Sequence, residues 1–291
     1  MKDIYTVFKR ELGAYFNSAI AYIYLIVFIA INNALFMTRF FLIGRAEMRV
    51  YFDNLPFMLV TFIPVLTMRL WAEDKKENTF ELLLTFPMKV RNLALGKFFA
   101  SFVFYLFSLL STLSIPLILY LAGRPDPGAI IGGYTAILLL GGLFLAIGLF
   151  ISSLTSEQIV AFVLTFLSCF FIYFLGTDFI ASFLDGWISG LGSFLKNYFG
   201  AASHLVSLSK GVIDIKDILY FVAMSFIFLL LNGFFFEGRL RPRAKAVFGA
   251  AVAVCLAGVL LFNWLVHDLP LARFDITQNK IYTIPDASKK I

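Results

Sequence analysis

The chain has 291 residues, 60% of them hydrophobic and 14% charged, with a mean hydropathy of +0.89. Globular domains are about 45–50% apolar and about 25% charged, so the polar surface is too small for a soluble enzyme, a disordered chain or a secreted disulfide scaffold; what remains is an integral membrane protein. The formal charge of +6 points to membrane topology and anionic headgroups rather than nucleic acid, because the basic residues sit mainly between apolar runs.

The first element is an amphipathic helix over 1–17. At about 100° per residue, Ile4, Tyr5, Val7, Phe8, Leu12, Tyr15 and Phe16 share one arc, and Lys2, Asp3, Thr6, Lys9 and Arg10 the other. Such a helix lies along a membrane surface. Glu11 falls within the apolar arc, where a carboxylate needs a cationic or hydrogen-bonding partner. The segment therefore also packs on protein.

A membrane-crossing helix needs ~20 mostly apolar residues. Seven runs qualify: 18–38, 55–71, 98–122, 129–156, 158–177, 218–236 and 246–266. They are too long and continuous for barrel strands, so the fold class is all-α and polytopic. The second run carries Pro56, Pro64 and Arg69. Cys169 and Cys255 both lie within apolar runs, which argues against a disulfide framework. Gly141, Gly142, Gly148, Ser152 and Ser153 in the fourth run permit close helix contact. Lys75, Lys76, Lys89, Arg91 and Lys97 follow the second run, and Arg239, Arg241, Arg243 and Lys245 follow the sixth. That bias places the N-terminus in the cytoplasm, although Arg273, Lys280, Lys289 and Lys290 oppose it.

The stretch after the second run, 72–87, is the richest in pattern. Read as one helix, Glu73, Glu77 and Glu81 stack at successive turns, with Phe80 and Leu84 on the same side and Pro87 ending it. An acidic stripe beside apolar residues fits docking on a basic, partly apolar surface; a solvated loop helix fits the charge pattern equally well. Residues 178–217 mix large apolar residues with Gly186, Gly190, Gly192 and Gly200, which suits short interfacial or re-entrant helices broken at glycines. Beyond 237 come a basic cytoplasmic linker, the seventh run and a short polar tail.

Catalytic constellations are missing from the sequence. There are two histidines, His204 and His267, with no metal-ligand spacing, and no nucleophile elbow or phosphate-binding loop. Buried carboxylates of the kind a proton-coupled carrier uses are likewise not found in the runs. Neither a cofactor nor a metal is expected in this chain.

The stretch from Trp71 to Pro87 resembles the first cytoplasmic loop of type-2 ABC transporter permeases. Glu73, Lys76, Thr79, Glu81, Leu83, Leu84 and Pro87 approximate that pattern, while Asn78 stands where the family usually has glycine. Phe8, Lys9, Arg10, Glu11 and Leu12, followed by Tyr15–Ser18, resemble the family's interfacial helix. Gly148–Thr155 resembles the end of its fourth span, and Ser209–Asp214 the approach to its sixth. The resemblance covers residues 1–236 and is nearest to the gliding-motility-type permease subunit, with the nitrous-oxide-reductase-maturation permease a near relative. The tail, Arg273–Thr277 with Tyr282–Ile284 and Ser288–Ile291, resembles the start of the extracytoplasmic partner protein of such permeases.

The resemblance implies a six-helix transmembrane domain over 18–236, with one further C-terminal span. It implies dimerisation with a second or related permease copy, an extracytoplasmic partner subunit, and separate cytoplasmic ATPase subunits that bind ATP and Mg. Residues 72–87 would then be the coupling helix, with Glu73, Lys76, Glu77, Thr79, Phe80, Glu81, Leu84 and Pro87 at the ATPase. The interfacial helix carrying Phe8, Arg10, Glu11 and Leu12 would lie beside it, in contact with membrane lipid, and 178–217 would form an outer gate. The implied function is the permease of an ATP-driven exporter in a bacterial cytoplasmic membrane. A non-transporting scaffold that couples ATPases to gliding or assembly machinery uses the same surface. An intramembrane enzyme would require a polar cluster within the spans.

Overall fold

The computed structural model describes residues 2–43, 48–85, 88–123, 125–239, 249–250, 252–254, 257–258 and 273–278. The helices run in order α1 (Lys2–Phe16), α2 (Ala19–Ile43), α3 (Arg49–Thr67), α4 (Ala72–Lys76), α5 (Thr79–Thr85), α6 (Val90–Leu110) and α7 (Ser114–Ala122). They continue as α8 (Pro127–Leu154), α9 (Gln158–Leu175), α10 (Asp178–Asp185), α11 (Leu191–Phe199), α12 (Ala201–Ser209) and α13 (Ile215–Arg239). Two short strands, β1 (Val212–Asp214) and β2 (Arg273–Asp275), pair antiparallel.

Six helical stretches are long and apolar enough to cross a membrane: Ala19–Phe41, Tyr51–Lys76, Val90–Leu121, Pro127–Leu154, Gln158–Leu175 and Ile215–Phe236. The chain is a multi-pass membrane protein. The seventh predicted run falls for the most part outside the described residues; its described members, 249–250, 252–254 and 257–258, are helical. The linker 240–248, Cys255 and the tail beyond 278 lie outside them as well.

Helix α8 is the most buried of the six and packs against α3, α6, α9, α12 and α13. Glycine is what lets its neighbours in. Gly133 faces the ring of Phe52, Gly141 the ring of Tyr105, and Gly148 the side chain of Thr67, each so close that a Cβ would overlap it. Packing of this kind replaces the hydrophobic driving force that lipid cannot supply between helices. At about 1.5 Å per residue, α8 is roughly 42 Å long, so its two ends define two ends of the molecule. Its C-terminus meets α4, and its N-terminus meets α12 and the strands.

The second predicted run starts late. Helix α3 begins at Arg49, six residues ahead of 55, because Tyr51 and Phe52 are both buried against the bundle. Pro56 and Pro64 are accommodated inside it. The third run also starts late: α6 begins at Val90, so Lys97 lies inside a helix and not in a loop. Helix α1 lies along α6, and Gly96 permits the approach, since a Cβ there would meet Val7 Cβ at 2.7 Å. Val7 and Tyr15 of α1 are buried, but Tyr5, placed on the apolar arc by periodicity, is 65% exposed.

Residues 178–217 form α10, α11, α12, β1 and the start of α13, with breaks at Gly186–Gly190, Gly200 and Gly211. Gly192 is not a break; it lies within α11, where its bare Cα admits the backbone of Ala181. The Asp185 carboxylate caps α11 by accepting from Gly192 N at 2.6 Å and Ser193 N at 3.2 Å. The Ser193 hydroxyl, 2.6 Å from the same carboxylate, is the main cause holding Asp185 below the usual aspartate range. His204 contacts Asp217 at 2.8 Å and the Asn197 carbonyl at 3.2 Å, joining α12 to α13.

Candidate functional site: a tethered elbow at the end of α3

The segment after α3 is not one helix. It is two short ones, α4 and α5, joined at Glu77–Asn78. Asn78 has φ +58°, the left-handed region that glycine enters freely and asparagine tolerates better than other side chains. The continuous acidic stripe expected from Glu73, Glu77 and Glu81 is therefore interrupted. Glu73 lies on α4 and Glu77 at its end, whereas Glu81 belongs to α5 beyond the elbow. Leu84 is on α5 too, and Pro87 lies outside the described residues. Lys76, Glu77, Asn78 and Thr79 are exposed and form the tip.

The base of the elbow is buried. Trp71 is fully buried and packs against Phe236 of α13 and Phe80 of α5, with ring centroids at 4.6 and 6.0 Å. Phe80 also meets Phe236 at 5.1 Å. The first turn of α4 is capped from another helix. Ser152 Oγ of α8 accepts from Trp71 N at 3.0 Å and Ala72 N at 3.2 Å, and donates to the Met68 carbonyl at 3.3 Å. Lys75 donates to the carbonyls of Ser153 and Thr155 at the C-terminal end of α8. A cation at a helix C-terminus meets the negative end of its dipole, so this contact is electrostatically favourable as well. The Thr79 hydroxyl donates to the Asp74 carbonyl at 3.2 Å, a bond that spans the elbow.

Lys97 is the tie between α1, α4 and α6. It is 2% exposed, and its Nζ lies 2.8 Å from Asp74 Oδ2, 3.0 Å from Glu11 Oε1 and 5.1 Å from the Trp71 ring. Glu11, stranded on the apolar arc of α1, has Lys97 as its cationic partner, with Arg10 adding a contact at 2.5 Å. Burial alone would raise the Glu11 carboxyl; Lys97 and then Arg10 outweigh it and hold the group below the usual glutamate range. Arg69 stacks over Tyr15 at 4.2 Å, and the Tyr15 hydroxyl donates to the Leu66 carbonyl at 2.9 Å, so α1 also grips the end of α3. Phe8 and Leu12 are half-buried and Arg10 exposed. Between α1 and the elbow lies a cleft of about 700 Å³, with Arg10, Glu11, Arg69, Glu73, Glu77 and Leu82 in its wall.

Of the residues singled out from sequence, Glu73, Lys76, Glu77, Thr79 and Phe80 come together at the elbow with Glu11 nearby. Phe80 is a buried wedge and not a surface contact. Sequence reading missed Trp71, Asp74, Lys75, Lys97 and Ser152 as parts of this site. By sequence Lys75 and Lys97 read as loop charges, although one caps α8 and the other is buried. A usable signal existed in Glu11, whose position on an apolar arc required a cation, but spacing alone could not say which. Groups of three or more His, Cys, Asp or Glu placed to hold a metal are not found among the described residues. Comparison with family models, with curated proteins and with solved structures finds no match to the chain.

Proposed function

We propose that the chain is the transmembrane permease subunit of an ATP-driven ABC exporter, energised by separate ATPase subunits. The observation that carries this reading is the elbow: a polar, exposed tip on a base locked to α1, α6, α8 and α13. A push on such a tip is delivered to four helices at once, because the base is joined to them by a buried cation, a serine cap and an aromatic cluster. In this reading α4–α5 is the coupling element, the α4 end faces the cytoplasm, and the membrane is the inner membrane of a bacterium. ATP and Mg belong to the ATPase chains, and a second permease copy completes the pathway.

The seventh span fits the same scheme. Helix α13 ends at the α4 end of the molecule, where Phe236 meets Trp71, while β2 lies at the other end against β1. The apolar run 246–266 has the length to cross between them. The tail would then begin on the outer side, where an extracytoplasmic partner subunit would meet it.

The test is affinity purification of tagged protein from native membranes in mild detergent, comparing wild type with Lys76→Glu/Glu77→Lys. The expected result is an ATP-hydrolysing subunit that co-purifies with wild type and is lost from the charge-reversed variant at equal yield of folded protein. Absence of ATPase activity from both preparations would overturn the reading. A scaffold is separated from an exporter by reconstitution: the exporter raises ATP turnover and moves cargo across vesicles, the scaffold only the former.

A further inference from the structure

The strand pair sits at the α12 end, where β1 packs on α8, α12 and α13 and β2 reaches it from the far end of the chain. β2 lies antiparallel to β1 with Val212 opposite Asp275, Ile213 opposite Phe274 and Asp214 opposite Arg273. Past β2, Ile276 N donates to the Gly211 carbonyl at 3.1 Å. Thr277 is 5% exposed, and both its N–H (3.0 Å) and its hydroxyl (2.6 Å) donate to Asp275 Oδ1. Gln278 N lies 3.3 Å from both carboxylate oxygens of Asp126. Asp126 at the same time caps α8, accepting from Gly128 N at 2.8 Å.

The floor under this segment is glycine. A Cβ on Gly128 would run into the Ile276 carbonyl. A Cβ on Gly211, whose φ is +81°, would press on Ala129 N and Thr277 Cγ2, both at 3.0 Å. Bare backbone at both positions makes a seat that an extended chain can enter closely. A pair of three-residue strands has no stability of its own, so what retains β2 is this seat. The side chain seated is Thr277, which the half-buried Asp275 holds in its turn from within the same segment, because Phe274 points outward at 55% exposure and Arg273 is exposed too.

We propose that Gly211–Asp214, together with Asp126 and Gly128, is a strand-addition site for an extended peptide carrying an Asp-x-Thr pattern, and that Arg273–Gln278 of this chain is its resident occupant. Main-chain hydrogen bonds supply the affinity in this mode of recognition, and the buried threonine, fixed in its turn by the aspartate, supplies the selectivity. The occupant fastens the turn between α12 and α13 to the N-terminus of α8.

The test is hydrogen exchange by mass spectrometry on the full-length protein in detergent. Ile276→Pro removes the N–H that bonds Gly211 and changes no helix. In wild type, amides of 212–214 and 273–278 are expected to be protected. In Ile276→Pro those of 212–214 exchange about tenfold faster or more, while α8 and α13 keep the wild-type rate. Adding the synthetic peptide Arg-Phe-Asp-Ile-Thr-Gln to the variant restores protection of 212–214, and a peptide with alanine in place of the aspartate does not. The inference fails if wild-type 212–214 exchanges at the variant's rate, or if the peptide leaves the variant unprotected.

Discussion

Replacing Lys97 by methionine keeps the length of the side chain and most of its volume, but removes the charge. The two carboxylates it serves are only 14% (Glu11) and 19% (Asp74) exposed, so little water can take over. Stripping one partner from a buried ion pair costs about 3–5 kcal/mol. Glu11 keeps Arg10 at 2.5 Å, which covers part of its share, whereas among the described residues Asp74 is left with a 3.5 Å contact to the Thr79 hydroxyl. Loss of the cation over the buried Trp71 adds up to about 2 kcal/mol, offset in part by the sulfur–aromatic contact a methionine can make there. Lys97→Met should therefore cost about 3 kcal/mol in denaturant unfolding of the detergent-solubilised protein. The triple variant Lys97→Met/Glu11→Met/Asp74→Leu replaces all three charges by apolar side chains of similar volume and should recover to within about 1 kcal/mol of wild type, because a hydrophobic replacement of a buried pair is often neutral. A Lys97→Met stability within about 0.5 kcal/mol of wild type, or a triple variant no better than the single, would refute the view of Lys97 as a buried electrostatic tie.

Other consequences are open to measurement. Ser152→Ala strips the cap from Trp71 N and Ala72 N and should cost about 1–2 kcal/mol in the same assay; no loss would mean that water replaces the cap. Asn78→Gly should be neutral to within a few tenths of a kcal/mol, and Asn78→Val should cost about 1–2 kcal/mol, because the elbow needs φ +58°. The Glu11 carboxyl titrates lower in the folded protein than in the unfolded chain. Its contribution is thus complete above the ordinary glutamate value of about 4.3 and disappears as pH falls through the lower folded value. Unfolding midpoints of wild type and Glu11→Gln should run parallel from pH 8 to pH 5 and converge below; curves that stay parallel into acid would contradict this.

The six membrane-crossing helices were legible because a run of apolar residues has only one structural use inside a bilayer, where the backbone must satisfy itself. Their ends were less so. Tyr51 and Lys97 each extend a helix beyond its apolar run, and each does so by burial against protein that periodicity does not encode. The elbow shows the same limit at finer scale. Glu73, Glu77 and Glu81 have the spacing of one continuous helix, and nothing in that spacing announces the left-handed Asn78 that divides it. The partner of Glu11 was legible as a requirement and not as a residue, since Lys97 is 86 positions away in the chain. Lys75 reads as a solvated loop charge until the end of α8 is brought beside it.

The glycines of α8 have a consequence for motion. Side chains of α3 and α6 occupy space inside the envelope of α8 at Gly133, Gly141 and Gly148. Sliding α8 by a single residue would carry a side chain into two of those places whichever way it moved, Leu140 and Ile147 in one direction and Tyr134 and Leu149 in the other, much as a key turned in the wrong lock meets its wards. Three such notches spread along the helix bar both translation and rotation, so α3, α6 and α8 must travel as one block. Any working stroke then has to be absorbed where the backbone is free of such notches. Asn78 at one end and Gly190 at the other, whose Cβ would meet nothing, mark where such a stroke can bend the chain.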